Sequence, residues 1–202
     1  MKCIKFFAAA VVVCFSLQSQ AALLELDGLG TDVPVPGNND FFSGMGLSYN
    51  VGGNLHATSF VDLTFSYLGH EAGYSNDFNA YGQTLNNKTN SPDDSFTVSN
   101  VAAGLLNFGF YSHGANNGWG LGIYNGNNTG FAAYQSFATI LDITYNDIFY
   151  DAIVLFDDSG AGPDDDSDDH IIGIRAVPEP SILALFGLGL FGLGLARRRI
   201  HS

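Results

Sequence analysis

Val61-Asp62-Leu63-Thr64-Phe65-Ser66-Tyr67 alternates apolar and polar side chains without a break. An extended chain has a side-chain period of two, so this stretch reads as a β-strand with one face buried and one face wet. The segment from Gly69 to Asn76 ends it. Working outward, Ser95 to Val101 and then Leu106, Phe108 and Phe110 predict two more strands, parted by Ala103-Gly104. A short strand is expected over 119–124, between turns at 114–117 and 125–130. Phe137, Thr139, Leu141 and Ile143 alternate again, as one face of a further strand. Residues 148–156 are apolar on both faces apart from Asp151, the pattern of a central strand covered on each side. Residues 171–177 predict the last strand and 23–26 a short first one. The stretch 31–54, with Pro34, Pro36 and several Gly and Asn residues around Phe41-Phe42, reads as loop. No helical periodicity of useful length and no internal repeat is present in this part. Eight or nine short strands with regular turn signals predict a mainly β fold, an antiparallel β-sandwich of jelly-roll-like outline.

Composition points the same way, because Gly and Asn serve turns while aromatic and β-branched residues serve strands. Residues 22–177 are long enough for one domain with a real core. Within them nineteen carboxylates face only Lys88 and Arg175, a net charge of −17 against −13 for the whole chain. That balance argues against nucleic acid and anionic membrane surfaces as partners, and suits an extracellular surface, a divalent cation or a basic partner. Residues 1–21 carry Lys2 and Lys5, an apolar core from Ile4 to Leu17, and small residues at Ser19 and Ala21. They predict a Sec-type signal peptide cleaved between Ala21 and Ala22, with the Sec translocon and signal peptidase as partners. Val11-Val12-Val13 stand before Cys14 where a lipobox wants a small residue, which argues against lipidation. Cys3 and Cys14 leave with the signal, so the exported part has no thiol or disulfide chemistry.

Residues 178–202 form the third segment. Pro178-Glu179-Pro180 is followed by a charge-free apolar run over 181–196 and then by Arg197-Arg198-Arg199. An apolar run stopped by arginines predicts a membrane helix with its basic end in the cytoplasm. Sixteen residues make roughly 24 Å of helix against about 30 Å of hydrocarbon, a mismatch that snorkelling and local thinning absorb. The prolines place the helix start at or just after Pro180. These elements, in this order, resemble the PEP-CTERM sorting signal of Gram-negative bacteria. The resemblance implies an exosortase, an inner-membrane enzyme of cysteine-transpeptidase type, as processing partner. It also implies that Pro178, Glu179 and Pro180 are recognised, that the helix is a transient inner-membrane anchor, and that Arg197, Arg198 and Arg199 are the stop.

Two stretches could carry chemistry. The first is an acidic loop over 157–169, with Asp157, Asp158, Asp164, Asp165, Asp166, Asp168 and Asp169, seven carboxylates in thirteen residues. It reads either as a solvated acidic turn or as a Ca²⁺ site, since Ca²⁺ takes six to eight oxygens from flexible acidic loops. The spacing is not that of an EF-hand. The loop is similar to what many proteins with this tail carry beside it, which implies a structural role near the anchor. The second stretch runs from Tyr67 through Gly69-His70-Glu71-Ala72-Gly73-Tyr74 to Asn76-Asp77-Phe78, and resembles a recurring segment of β-sandwich proteins with this signal. Glu71, Asn76 and Asp77 could offer oxygens to an ion or a sugar, or the segment is a tight loop whose Asn and Asp side chains bond their own backbone.

Catalytic signatures are missing: there is no Gly-x-Ser-x-Gly elbow, no His-Glu-x-x-His pair and no phosphate loop. A carboxylate pair for glycoside cleavage is a matter of spatial separation and stays open. Tyr74, Tyr81, Tyr111, Trp119, Tyr124 and Tyr134 lie in or beside Gly/Asn-rich loops, where they either stack on sugars or fill the fold's ends. The expected function is that of an exported, non-enzymatic surface or extracellular-matrix protein associated with exopolysaccharide or biofilm. A Ca²⁺-dependent carbohydrate-binding module is the alternative, and a secreted hydrolase the less favoured one.

Overall fold

The computed structural model describes residues 22–114, 121–128, 135–158, 166–179 and 189. The expected signal peptide, the membrane run apart from Gly189, the terminal arginines, Trp119, Tyr134, Asp164 and Asp165 lie outside those residues. Among the described residues no helix is long and apolar enough to cross a membrane.

The chain is mainly β, and its strand pairings are antiparallel. In order the strands are β1 Leu24–Leu26, β2 Thr31–Pro34, β3 Ser48–Val51, β4 Leu55–Ala57, β5 Val61–Gly69, β6 Asn76–Ala80 and β7 Gln83–Asn86. Then follow β8 Ser95–Val101, β9 Gly104–Leu105, β10 Phe108–Ser112, β11 Leu121–Tyr124, β12 Ser136–Tyr145, β13 Ile148–Asp157 and β14 His170–Pro178. They form a seven-stranded sheet in the order β2-β3-β12-β13-β14-β5-β8, a four-stranded sheet β11-β10-β6-β7, and a three-stranded sheet β1-β4-β9.

The alternation of 61–67 does what it predicts. Val61, Leu63, Phe65 and Tyr67 are all buried in a first core that also takes Phe78, Phe108 and Phe110 from the four-stranded sheet and Leu24, Leu55 and Ala57 from the small one. Phe110 stacks on Phe156 across the gap, with ring centroids 4.8 Å apart and planes 2° from parallel. The opposite face of the large sheet is covered too. Tyr49, Ala138, Ile140, Ile153, Leu155 and Ile171 pack there with Phe42 from the loop after β2. β13 is therefore buried on both faces from Ala152 to Phe156, which is why that stretch does not alternate, while Ile148 and Phe149 at its start are exposed.

Three local details differ from the expectation. The stretch 31–54 holds β2 and β3; Pro34 is tolerated because it ends an edge strand, where no partner needs its missing N–H. Residues 76–86 form a hairpin whose Tyr81 and Gly82 both have positive φ, 51° and 82°, as a type I′ turn requires. Ile143 does not share a face with Phe137: Asp142 at φ 50° interrupts the alternation, and Ile140 and Ile143 both join the second core.

Gly69 closes β5 at φ 153°, and a Cβ there would stand 2.5 Å from the ring of Phe41. Only glycine lets Phe41 lie across that strand end, which draws the loop after β2 against the sheet. β14 then fixes the geography of the chemistry. It runs between β13 and β5, from His170 opposite Phe156 to Pro178 opposite Val61. At about 3.4 Å per residue its nine residues hold the acidic loop roughly 27 Å from the Pro-Glu-Pro element. Neighbours in sequence, the acidic loop and Pro178 sit at opposite ends of one strand.

Candidate functional site

The acidic loop is not solvated in its described part. Asp157, Asp158, Asp166, Asp168 and Asp169 are 0–7 % exposed, and His170 beside them is fully buried. Two loops and the start of β6 supply the groups that hold them. Asn38 Nδ2 donates to Asp166 Oδ2 at 2.8 Å and Asn39 Nδ2 to the Asp166 carbonyl at 2.8 Å. Asp40 N donates to Asp168 Oδ2 at 2.6 Å. Glu71 N donates to the Asp168 carbonyl at 3.0 Å, and Asp158 N to Asp169 Oδ2 at 2.7 Å. Asn76 Nδ2 donates to Asp158 Oδ2 at 2.6 Å. The two stretches read separately in the sequence, 67–78 and 157–169, therefore meet at one end of the molecule. A third partner, Asn38-Asn39-Asp40, went unread. Its signal was an Asn-Asn-Asp cluster after Pro-Gly, where Asn39 Oδ1 accepts from Phe41 N and Phe42 N as a short side chain does in a turn.

Within the second stretch the roles separate. Tyr67 Oη bonds His70 Nδ1, Lys88 Nζ donates to the Ala72 carbonyl at 2.6 Å and lies 3.3 Å from His70 Nε2. Burial, and then the Lys88 charge, lower the His70 pKa. Burial pushes the Tyr67 hydroxyl up to about 12. Asp77 is turned outward, accepting from Asn86 Nδ2 at 2.6 Å and meeting His113 Nε2 at 2.7 Å. Asn87, in an Asn-x-Thr sequence, is buried and donates to the Tyr74 carbonyl.

Burial, followed by the charges of Asp158, Asp157 and Asp168, pushes the Asp169 carboxyl up to about 8 against the hydrogen bond from Asp158 N. Burial, followed by the neighbouring His70, holds His170 down at about 3. Among the described residues no three histidine or carboxylate side chains form a ready metal cage.

A different surface lies on the outer face of the four-stranded sheet. Register places Tyr124, Gly109, Asn79 and Thr84 in one row and Gly122, Tyr111, Asp77 and Asn86 in the next. Gly109 is necessary: a Cβ would stand 2.5 Å from the Tyr124 ring, which is 56 % exposed. Of the other loop aromatics, Tyr74 is exposed, while Tyr81 packs against the first core and its hydroxyl accepts from Asn107 N. A recess of about 580 Å³ at the sorting-signal end is lined by Asp142, Asp147, Asp151 and Arg175 among others. Asp151 Oδ2 there accepts from Ala176 N at 2.7 Å, fastening β14.

At the end of β14, Pro178 is exposed and Glu179 N donates to the Phe60 carbonyl at 3.3 Å. Residues 176–199 match the PEP-CTERM protein-sorting motif. The motif marks an exported, membrane-anchored precursor that an exosortase sorts and processes for the cell surface. A search of the curated proteins and another of the solved structures returned no match.

The raised carboxyl and the lowered imidazole give the stability a readable pH dependence. Asp169, faced by Asp158, Asp157 and Asp168, adds stability that is full below the ordinary carboxyl value of 3.8 and is lost as pH rises through about 8. His170, packed on Tyr67 and Phe110, adds stability that is present above 6.5 and lost as pH falls through about 3. Between 6.5 and about 8 only Asp169 of this pair changes. In chelator, the melting temperature should fall across that window, and Asp169→Asn should flatten the fall; an unchanged slope in the variant contradicts the assignment.

Proposed function

We propose that the protein is a non-enzymatic surface or matrix component, a thiol-free β-sandwich of jelly-roll-like outline exported by the Sec route. Its C-terminal helix holds it in the inner membrane until an exosortase acts at Pro178-Glu179-Pro180, and its mature form associates with exopolysaccharide. The observation that carries the last step is the outer face of β11-β10-β6-β7. Tyr124 offers a ring face across Gly109, Tyr111 stands on the diagonal, and Asp77, Asn79, Thr84 and Asn86 line up beside them. A flat aromatic ring beside a row of short polar groups suits a pyranose, whose C–H face packs on the ring while its hydroxyls meet carboxylate and amide oxygens.

The delivery half of this reading predicts that Glu179→Gln or Pro180→Ala leaves the uncleaved form in the inner membrane. A normal-size released product from either variant contradicts it. For the binding half, affinity electrophoresis in gels containing the producing strain's own polysaccharide should retard the protein. Tyr124→Ala should weaken that retardation about tenfold, the loss of one stacked ring at about 1.4 kcal/mol. Equal mobility with and without polysaccharide removes the binding half and leaves the sorting half standing.

A further inference from the structure

The recess at the sorting-signal end is where the chain both enters and leaves the domain. Ala22 and Leu23 line it beside Ala176 and Val177. Thr58 Oγ1 donates to the Ala22 carbonyl at 2.8 Å, and just beyond it the Phe60 carbonyl accepts from Glu179 N at 3.3 Å. β13 starts here as well: Ala152 stands opposite Ile174, so the first residues of β13 and the last of β14 reach the same end. Around this one spot Phe60, Ile148, Phe149 and Val177 are 39–59 % exposed. Single apolar side chains in water are ordinary, but four gathered at one end mark a contact surface. The sequence on either side of the domain says what it meets. Residue 22 follows the apolar run of 4–17, and the apolar run of 181–196 begins just beyond Pro178. Both membrane-seeking runs therefore join the domain at the same end, and it is the end with the exposed apolar side chains.

We propose that this end of the domain is a lipid-contact surface: Phe60, Ile148, Phe149 and Val177 enter the headgroup–acyl boundary of the bilayer in which residues 181–196 are anchored. The proposal rests on the anchor reading given above and adds an orientation to it. Pro178-Glu179-Pro180 spans at most about 11 Å when fully extended, so the patch is held against the membrane surface. Apolar side chains gain there in proportion to the area they take out of water, over a depth of about 5–10 Å. Asp142 and Asp147, exposed on the rim of the recess, meet ammonium headgroups better than bare phosphates, so the fitting surface is zwitterionic lipid. The tether keeps the patch at high effective concentration beside the bilayer, and a weak contact suffices while it lasts. Once processing removes the tether, the contact lapses and the domain leaves. Until then the contact lays the Pro-Glu-Pro segment at the membrane, within reach of an enzyme that resides there, and turns the clasp outward.

The test reads depth with tryptophan. The full chain, its single native tryptophan removed by Trp119→Phe, is reconstituted in phosphatidylcholine vesicles with bromine on the acyl chains near the headgroup. Phe149→Trp and, in a separate chain, Phe60→Trp replace exposed rings, so the core is left alone. Each should lose most of its emission relative to unbrominated vesicles, because bromine quenches only on close approach. Tyr74→Trp, exposed at the clasp end, should keep its emission. Replacing part of the lipid by phosphatidylglycerol should restore emission at 149 and 60. Unquenched tryptophan at both positions, in a chain that still floats with the vesicles, overturns the proposal, leaves the anchor standing and hands the patch to a protein partner. A chain that does not float with the vesicles removes the anchor, and the proposal falls with it. Quenching as strong at 74 as at 149 overturns the orientation, and deeper quenching with phosphatidylglycerol overturns the headgroup assignment.

Discussion

Five aspartates are taken out of water at one end of β13 and β14, and most of what distinguishes this fold follows from that constraint. Buried carboxylates are tolerated only with hydrogen-bond donors or counter-charge around them. The chain supplies donors from far away in sequence: Asn38, Asn39 and Asp40 from the loop after β2, Glu71 from the loop after β5, and Asn76 from β6. The acidic turn therefore acts as a clasp. It gathers the loop that covers the second core and the strand that opens the four-stranded sheet, and it does so where the two sheets would otherwise part.

β14 carries the other half of the logic. One end leaves the clasp and the other becomes the sorting signal, so the strand that completes the large sheet also leads to the membrane. Its hydrogen bonds to β5 and β13 mean that the segment up to Pro178 belongs to the folded domain. The acidic clasp is then presented some 27 Å away along the strand, on the side of the domain remote from the signal. The aromatic and polar face of the four-stranded sheet lies on the side turned away from the first core.

How much of this was legible in the sequence depends on whether the signal was local. The alternation of 61–67, the apolar run of 148–156 around Asp151 and the Pro-Glu-Pro tail are local patterns; the structure makes strands of the first two, the second buried on both faces from Ala152 onward, and the motif match bears out the third. The hairpin of 76–86 was silent because only Phe78, Ala80 and Leu85 face the core, too few to show a period. β2 was hidden by Pro34, whose placement at an edge is a property of the sheet and not of the segment. The face switch at Asp142 rests on one positive φ that no pattern announces. For the acidic loop, the residues were visible and their burial was not. Burial depends on Asn38, Asn39, Asp40 and Asn76, which only the fold brings there.

The central claim is that the clasp belongs to the cooperative core and is not a surface turn. Native-state hydrogen exchange on the amides of Asp40, Glu71 and Asp158, which bond the clasp, tests it directly against the ladder amides of Ile153 and Ile172. The account predicts that all five exchange together, with the protection of global unfolding. Fast, loop-like exchange at Asp40, Glu71 and Asp158, with the ladder still protected, would contradict it.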